Sequence, residues 1–141
     1  LLQSLEYDYI LLDCPPSLGL LTINALSASN EVFIPLTAEA LPSKGLGNLM
    51  SIIQQTQDHL NKGLSLGGII ITRYNRRKIN RLVEESLRET FGTLVFQTKI
   101  RENVDIMESP LYGMDVYSYS PESIGAKDYE SLAVEVINKN N

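Results

Sequence analysis

Apolar residues arrive in short unbroken runs, separated by longer stretches in which they recur every three or four positions. Tyr9-Ile10-Leu11-Leu12, Val32-Phe33-Ile34 and Gly68-Ile69-Ile70-Ile71-Thr72 carry no polar alternation. Each predicts a strand covered on both faces. Pro15-Pro16 and Pro35 are the expected stops of the first two, because proline cannot donate to a ladder. Leu94-Val95-Phe96 predicts a further short strand and Val116-Tyr117 a weaker one. Helical spacing links Leu18, Leu21, Thr22, Ala25 and Leu26, and again Leu46, Leu49, Met50, Ile53 and Leu60 before Asn61-Lys62-Gly63. It returns at Ile79, Leu82, Val83, Leu87 and Phe91 before Gly92, and at Tyr129, Leu132, Ala133, Val136 and Ile137. A short helix is expected from Asn103 to Ser109, ended by Pro110.

Strands alternating with helices predict an α/β fold, a parallel sheet with helices on both faces. The 141 residues contain no internal repeat and no linker, which fits one domain or a large piece of one. Ligands of such sheets sit beyond the carboxyl ends of the strands. The stretches to read for chemistry are therefore Asp13–Ser17, Pro35–Glu39, Thr72–Arg77 and Lys99–Asn103.

Charge narrows the function. Twelve basic and 17 acidic residues leave a formal charge of −5, so the whole surface cannot be a nucleic-acid footprint. Five of the twelve cations nevertheless fall between positions 73 and 81: Arg73, Arg76, Arg77, Lys78 and Arg81. Such a cluster at a strand end and helix start either contacts a phosphate backbone or forms a solvated face paired with Glu84 and Glu85. Cations at a helix start oppose the helix dipole, which favours a use for them. Cys14 and His59 are the sole cysteine and histidine, which excludes an internal disulfide and a protein-only Cys/His metal site. No apolar run reaches the ~18 residues a membrane span needs, and no leader pattern is present, so a cytoplasmic location is expected. His59 suits a helix end, and Cys14 lacks a nearby histidine to activate it. Tyr112, Tyr117 and Tyr119 form either a stacking surface or half-buried packing. Glu39 either positions a contact between subunits or is simply solvated.

Asp13 directly follows an apolar run. A carboxylate there either holds Mg²⁺ beside a nucleotide phosphate or caps the next turn. The extension Asp13-Cys14-Pro15-Pro16-Ser17-Leu18-Gly19 is more specific, because two prolines stiffen the loop that carries the carboxylate.

Tyr7 to Leu26, centred on that loop, resembles the Walker B and switch II segment of the ParA/Soj partition ATPases. The resemblance continues at Val32 to Leu36, Glu39, Lys44-Gly45-Leu46, Leu111-Tyr112-Gly113 and Ser120 to Ala126 with Tyr129. It implies a P-loop NTPase-like fold of the deviant Walker A kind, ATP-dependent homodimerisation, DNA binding without sequence preference, and a ParB-type partner protein. It also implies that Asp13 acts on Mg²⁺ as the Walker B carboxylate, with Pro15 and Pro16 in the switch that senses the ATP γ-phosphate. Thr72, Arg73, Ile100 and Arg101 would hold the base. Arg76 and Arg77 would meet DNA, with Arg73, Lys78 and Arg81 in the same patch.

Two departures stand out. Neither G-x-x-x-x-G-K-[ST] nor K-G-G-x-G-K-[ST] occurs, and Lys44-Gly45-Leu46-Gly47 lacks the spacing and the hydroxyl. Arg101, Glu102 and Asp105 stand where many relatives carry proline, arginine and arginine. The expectation is that residues 1-141 form the C-terminal part of a single ParA-type ATPase domain, inactive without its phosphate loop. The alternative is a non-enzymatic module that dimerises with, or regulates, an intact partition ATPase. A membrane-attaching tail is not expected, since Glu135 to Asn141 is short and polar.

Overall fold

The computed structural model describes residues 6–15, 17, 19–39 and 44–139. Pro16 and Leu18 lie outside the described residues. The elements run α1 (Leu20–Ala28), β1 (Glu31–Thr37), α2 (Lys44–His59), β2 (Ser65–Tyr74), α3 (Lys78–Phe91), β3 (Val95–Arg101), α4 (Val104–Glu108), α5 (Val116–Tyr119) and α6 (Ile124–Lys139). A 3-10 turn at Gly92–Leu94 leads into β3, and another at Ser109–Tyr112 follows α4.

The three strands form one parallel sheet in the order β1-β2-β3. Period-two alternation divides its apolar side chains between two faces. Ile34, Ile69, Ile71 and Val95 pack with Leu46 and Ile53 of α2 and with Val83 and Leu87 of α3. Phe33, Ile70, Phe96 and Ile100 pack on the opposite face, against Leu132 and Val136 of α6. Unbroken apolar strands are thus explained by helices on both sides. A Cβ on Gly68 would meet the Phe96 ring and, at 2.9 Å, the Leu94 carbonyl. The absent side chain lets β2 and β3 close around that ring.

The outer edge of β3 is covered by a side chain. The Glu135 carboxylate of α6 accepts from the amides of Gln97 at 2.7 Å and Thr98 at 2.8 Å. β1 pairs only with β2 among the described residues. Its position at the rim explains why the strand runs through Pro35 to Thr37 instead of stopping there: an edge strand tolerates a residue that cannot donate outward.

Two expected strands are not formed. Tyr9 to Leu12 joins no strand and pairs with none among the described residues, and Leu11 is 86% exposed. Hydrophobicity alone does not make a strand; the run has no partner here, and a cleft of about 1720 Å³ separates Tyr9, Leu12 and Asp13 from Phe33, Ile34 and Leu36 of β1. Val116-Tyr117 belongs to helix α5, because Asp115 caps it by accepting from the Ser118 amide at 2.9 Å. The buried stripe of α3 is also rotated from the expected one. Asn80, Val83 and Leu87 are buried, while Ile79 and Leu82 are exposed at its flank.

Candidate functional site

The carboxyl ends of all three strands come together, with Thr37 beside Thr72 and Tyr74 beside Arg101. The loops leaving them are joined by a closed circuit of polar contacts. Asn80, 1% exposed, donates to the Ala38 carbonyl at 2.6 Å and accepts from the Asn75 amide at 2.6 Å. Asn75 donates from its side chain to Glu102 at 3.1 Å. Arg73 then bridges Glu102, at 3.9 Å, and Glu39, at 3.3 Å. Because Ala38 and Glu39 are neighbours, the circuit closes on β1. Arg73 adopts a left-handed backbone, φ 51°, a costly conformation for a residue with a side chain.

Thr72 donates to the Leu36 carbonyl at 3.2 Å, and its own carbonyl accepts from the Ala38 amide at 3.0 Å. Ile100 is 3% exposed in the core against α6, so only its main chain can face a ligand. Arg101 is held by Asp128 of α6, at 2.6 Å from Nη2 and 2.9 Å from Nε, and its amide donates to the same carboxylate at 2.9 Å. The hydrogen bonds that the guanidinium donates to Asp128 raise its pKa above the usual value.

The basic cluster divides. Arg73 is neutralised by its two carboxylates, whereas Arg76, Arg77, Lys78 and Arg81 are exposed and have no ion pair among the described residues. The N-terminus of α3 has no side-chain cap and no acidic residue in its first turn. Its free amides and four unpaired cations make an anion-attracting surface. Asp13 and Pro15 lie on the exposed 9–15 segment and line the cleft beside β1. No cluster of three or more metal-ligating side chains occurs among the described residues. A single carboxylate still suits Mg²⁺, which usually keeps several of its waters.

Residues 2–66 match the family described as AAA domain. Over 132 residues, 93% of its length, the chain is 46% identical to the chromosome-partitioning ATPase Soj of Treponema pallidum. It is 43% identical to the sporulation initiation inhibitor protein Soj of Bacillus subtilis over 93% of its length, and 39% identical to the chromosome partitioning protein ParA of Caulobacter vibrioides over 94%. These likenesses support a ParA/Soj-type partition ATPase fragment. The chain spans about half the length of these relatives: 52%, 52% and 50%.

The three-dimensional comparison agrees. The cell division ATPase MinD of Pyrococcus furiosus superposes with a TM-score of 0.68 at 27% identity, covering 94% of this chain and 53% of that one. Cobyrinic acid a,c-diamide synthase of Mycobacterium smegmatis, with bound ATP analog and magnesium, superposes with a TM-score of 0.70 at 31% identity, covering 86% of this chain and 44% of that one. The parallel sheet of this chain is thus part of a P-loop NTPase-like α/β fold.

Three residues of this carboxyl-rim network are not evident from sequence alone. Asn80 leaves one signal: it is a polar residue three positions before Val83 and seven before Leu87, on the helix's apolar stripe. Glu102 and Asp128 leave none, because each finds its partner 27 residues away in the chain.

Proposed function

We propose that residues 1-141 are the C-terminal part of a single ParA-type ATPase domain. The intact protein would dimerise with ATP bound, hold DNA without sequence preference, hydrolyse ATP, and work with a ParB-type partner in the cytoplasm, on the nucleoid. The observation that carries this reading is the uncapped start of α3, ringed by Arg76, Arg77, Lys78 and Arg81 at the carboxyl rim of the sheet.

DNA phosphates need cations and free amides but no base readout, and this surface supplies both. Asp13, exposed on the cleft, is the residue that would hold Mg²⁺, directly or through water. Bound there, the ion would neutralise charge developing on the transferring phosphoryl group. Main-chain groups of Thr72 and Ile100 are the candidates to receive the base, while Arg73 and Arg101 hold the surrounding loops through their carboxylate partners. The relatives' names, chromosome-partitioning ATPase and chromosome partitioning protein, support the same reading. No helix among the described residues is long and apolar enough to cross a membrane.

The test is retention of the full-length protein on DNA in the presence of ATP and Mg²⁺. Arg76→Glu combined with Arg77→Glu should abolish retention at moderate salt and leave ATP binding intact. Unchanged retention would refute the DNA assignment.

A further inference from the structure

We infer that Arg73 and Glu39 form a latch that sets how many cations the α3 surface offers to DNA: closed, as here, it withholds Arg73, and a nucleotide in the cleft beside β1 opens it. The latch deepens the assignment of that surface to DNA and rests on it. β2 takes three steps from Ile71 to Tyr74 where β3 takes two from Lys99 to Arg101, so a bulge falls at Thr72-Arg73. Bulges concentrate next to functional sites, where they re-aim a side chain. The main chain is pinned on both sides of this one. The Thr72 carbonyl accepts from the Ala38 amide and the Tyr74 carbonyl from the Glu102 amide, each at 3.0 Å. Arg73, held between them at φ 51°, is the one non-glycine residue with a positive φ among the described residues. Glycine would take that conformation freely, so an arginine there marks a use for its side chain.

With the backbone fixed, what can change is the partner of the guanidinium. The Arg73 side chain is 56% exposed, and those of Glu39 and Glu102 are 44% and 42% exposed. Ion pairs this open to water contribute little, so the contact is readily exchanged for another. Glu102 keeps the Asn75 side chain at 3.1 Å when Arg73 leaves. Two carboxylates against one guanidinium leave the closed triad one net negative charge beside the cationic surface. Open, Arg73 offers a phosphate the same bidentate fork that it offers a carboxylate. The loop between it and α3 is held firmly, since Asn75 accepts from the Arg77 amide at 3.1 Å and donates its own amide to Asn80.

The trigger lies on the other side of Glu39. Leu36 of β1 and Gly45-Leu46 of α2 line the cleft that bears Asp13, and Glu39 stands between them in the chain. A triphosphate seated there acts on both flanks of the segment carrying Glu39. By linkage, a DNA phosphate that takes Arg73 favours the nucleotide-bound arrangement in return.

The test measures the salt slope of DNA binding by the full-length protein. Without nucleotide, Glu39→Gln combined with Glu102→Gln should steepen the slope by about one per protomer and tighten binding roughly threefold. Adding Arg73→Gln should take both gains away. With ATP and Mg²⁺ the native protein should show the steeper slope, and Arg73→Gln should lower it by about one. No gain from the two glutamines would overturn the latch. A gain that survives Arg73→Gln would also overturn it, because the carboxylates would then act through their own charge. So would an Arg73→Gln effect of equal size with and without nucleotide, which would make Arg73 a constant contact or a structural staple. Failure of the DNA assignment shows itself elsewhere: Arg76→Glu with Arg77→Glu would leave retention intact, whereas a failed latch leaves that loss in place.

Discussion

The buried side chain of Asn80 donates to the carbonyl of Ala38, 42 residues earlier, at 2.6 Å, and so ties the start of α3 to the end of β1. The same amide accepts from Asn75, so one side chain fixes two loops at the carboxyl rim. Asn80→Ala would leave the Ala38 carbonyl and the Asn75 amide without these partners. A buried orphan costs about 1–3 kcal/mol. The expected loss of stability is about 2 kcal/mol, measured by urea unfolding. A loss below about 0.5 kcal/mol would mean that water replaces the amide.

Glu84 and Glu135 set the acid limb of stability. Burial raises the Glu84 pKa, but hydrogen bonds from Lys99 and Arg88 overcome it and leave the carboxyl below its ordinary 4.5. Burial likewise opposes the donors at Glu135, and the amides of Gln97 and Thr98 prevail. A carboxylate whose folded pKa is depressed contributes stability above its unfolded pKa and loses it as pH falls through the folded one. The stability gap between the native sequence and Glu84→Gln should therefore be widest near neutrality and shrink below about pH 4. A gap independent of pH would show that Glu84 acts only through packing.

Gly68 is a steric requirement. Gly68→Ala drives a methyl toward the Phe96 ring and the Leu94 carbonyl, and overpacking of this kind costs typically 1–3 kcal/mol. Thermal melting should show a Tm lower by several degrees. An unchanged Tm would mean that Phe96 can move aside freely.

On DNA, each phosphate contact removed should lower the salt slope of binding by about one. Arg81→Ala in the full-length protein is expected to flatten the slope by that amount and to weaken binding equally on unrelated sequences. Sequence-selective weakening would point to base contact instead.

The 141-residue chain alone should not bind ATP·Mg²⁺ at micromolar concentration, because no phosphate loop occurs in its sequence. Isothermal titration decides this. Micromolar binding would require a phosphate grip built from other residues.

The three paired strands were legible because their cores, at Val32, Ile69 and Val95, are apolar runs covered on both sides, and such cover removes polar alternation. Tyr9 to Leu12 has the same composition and forms no strand. Pairing depends on what lies alongside, and periodicity within the run carries no record of that. Val116-Tyr117 is helical for a local reason that the sequence does carry: Asp115, three residues before Ser118, is a helix cap. At the site, the carboxyl rim and its cations could be located from strand ends alone. Their division into paired and unpaired could not, since Arg73 and Arg101 meet carboxylates brought in by the fold. The resemblance sets Arg73 toward the base and Arg76 and Arg77 toward DNA, but that Arg73 is the ion-paired one of the five is visible only in the packing.

Glu135 gives the sheet a direction. With its carboxylate occupying two outward amides of β3, that side resists annealing to any further backbone. Lateral extension is left to the opposite border, beside Pro35 and the cleft bearing Asp13, so a recruited strand would settle next to that carboxylate and its addition would remodel the pocket's wall.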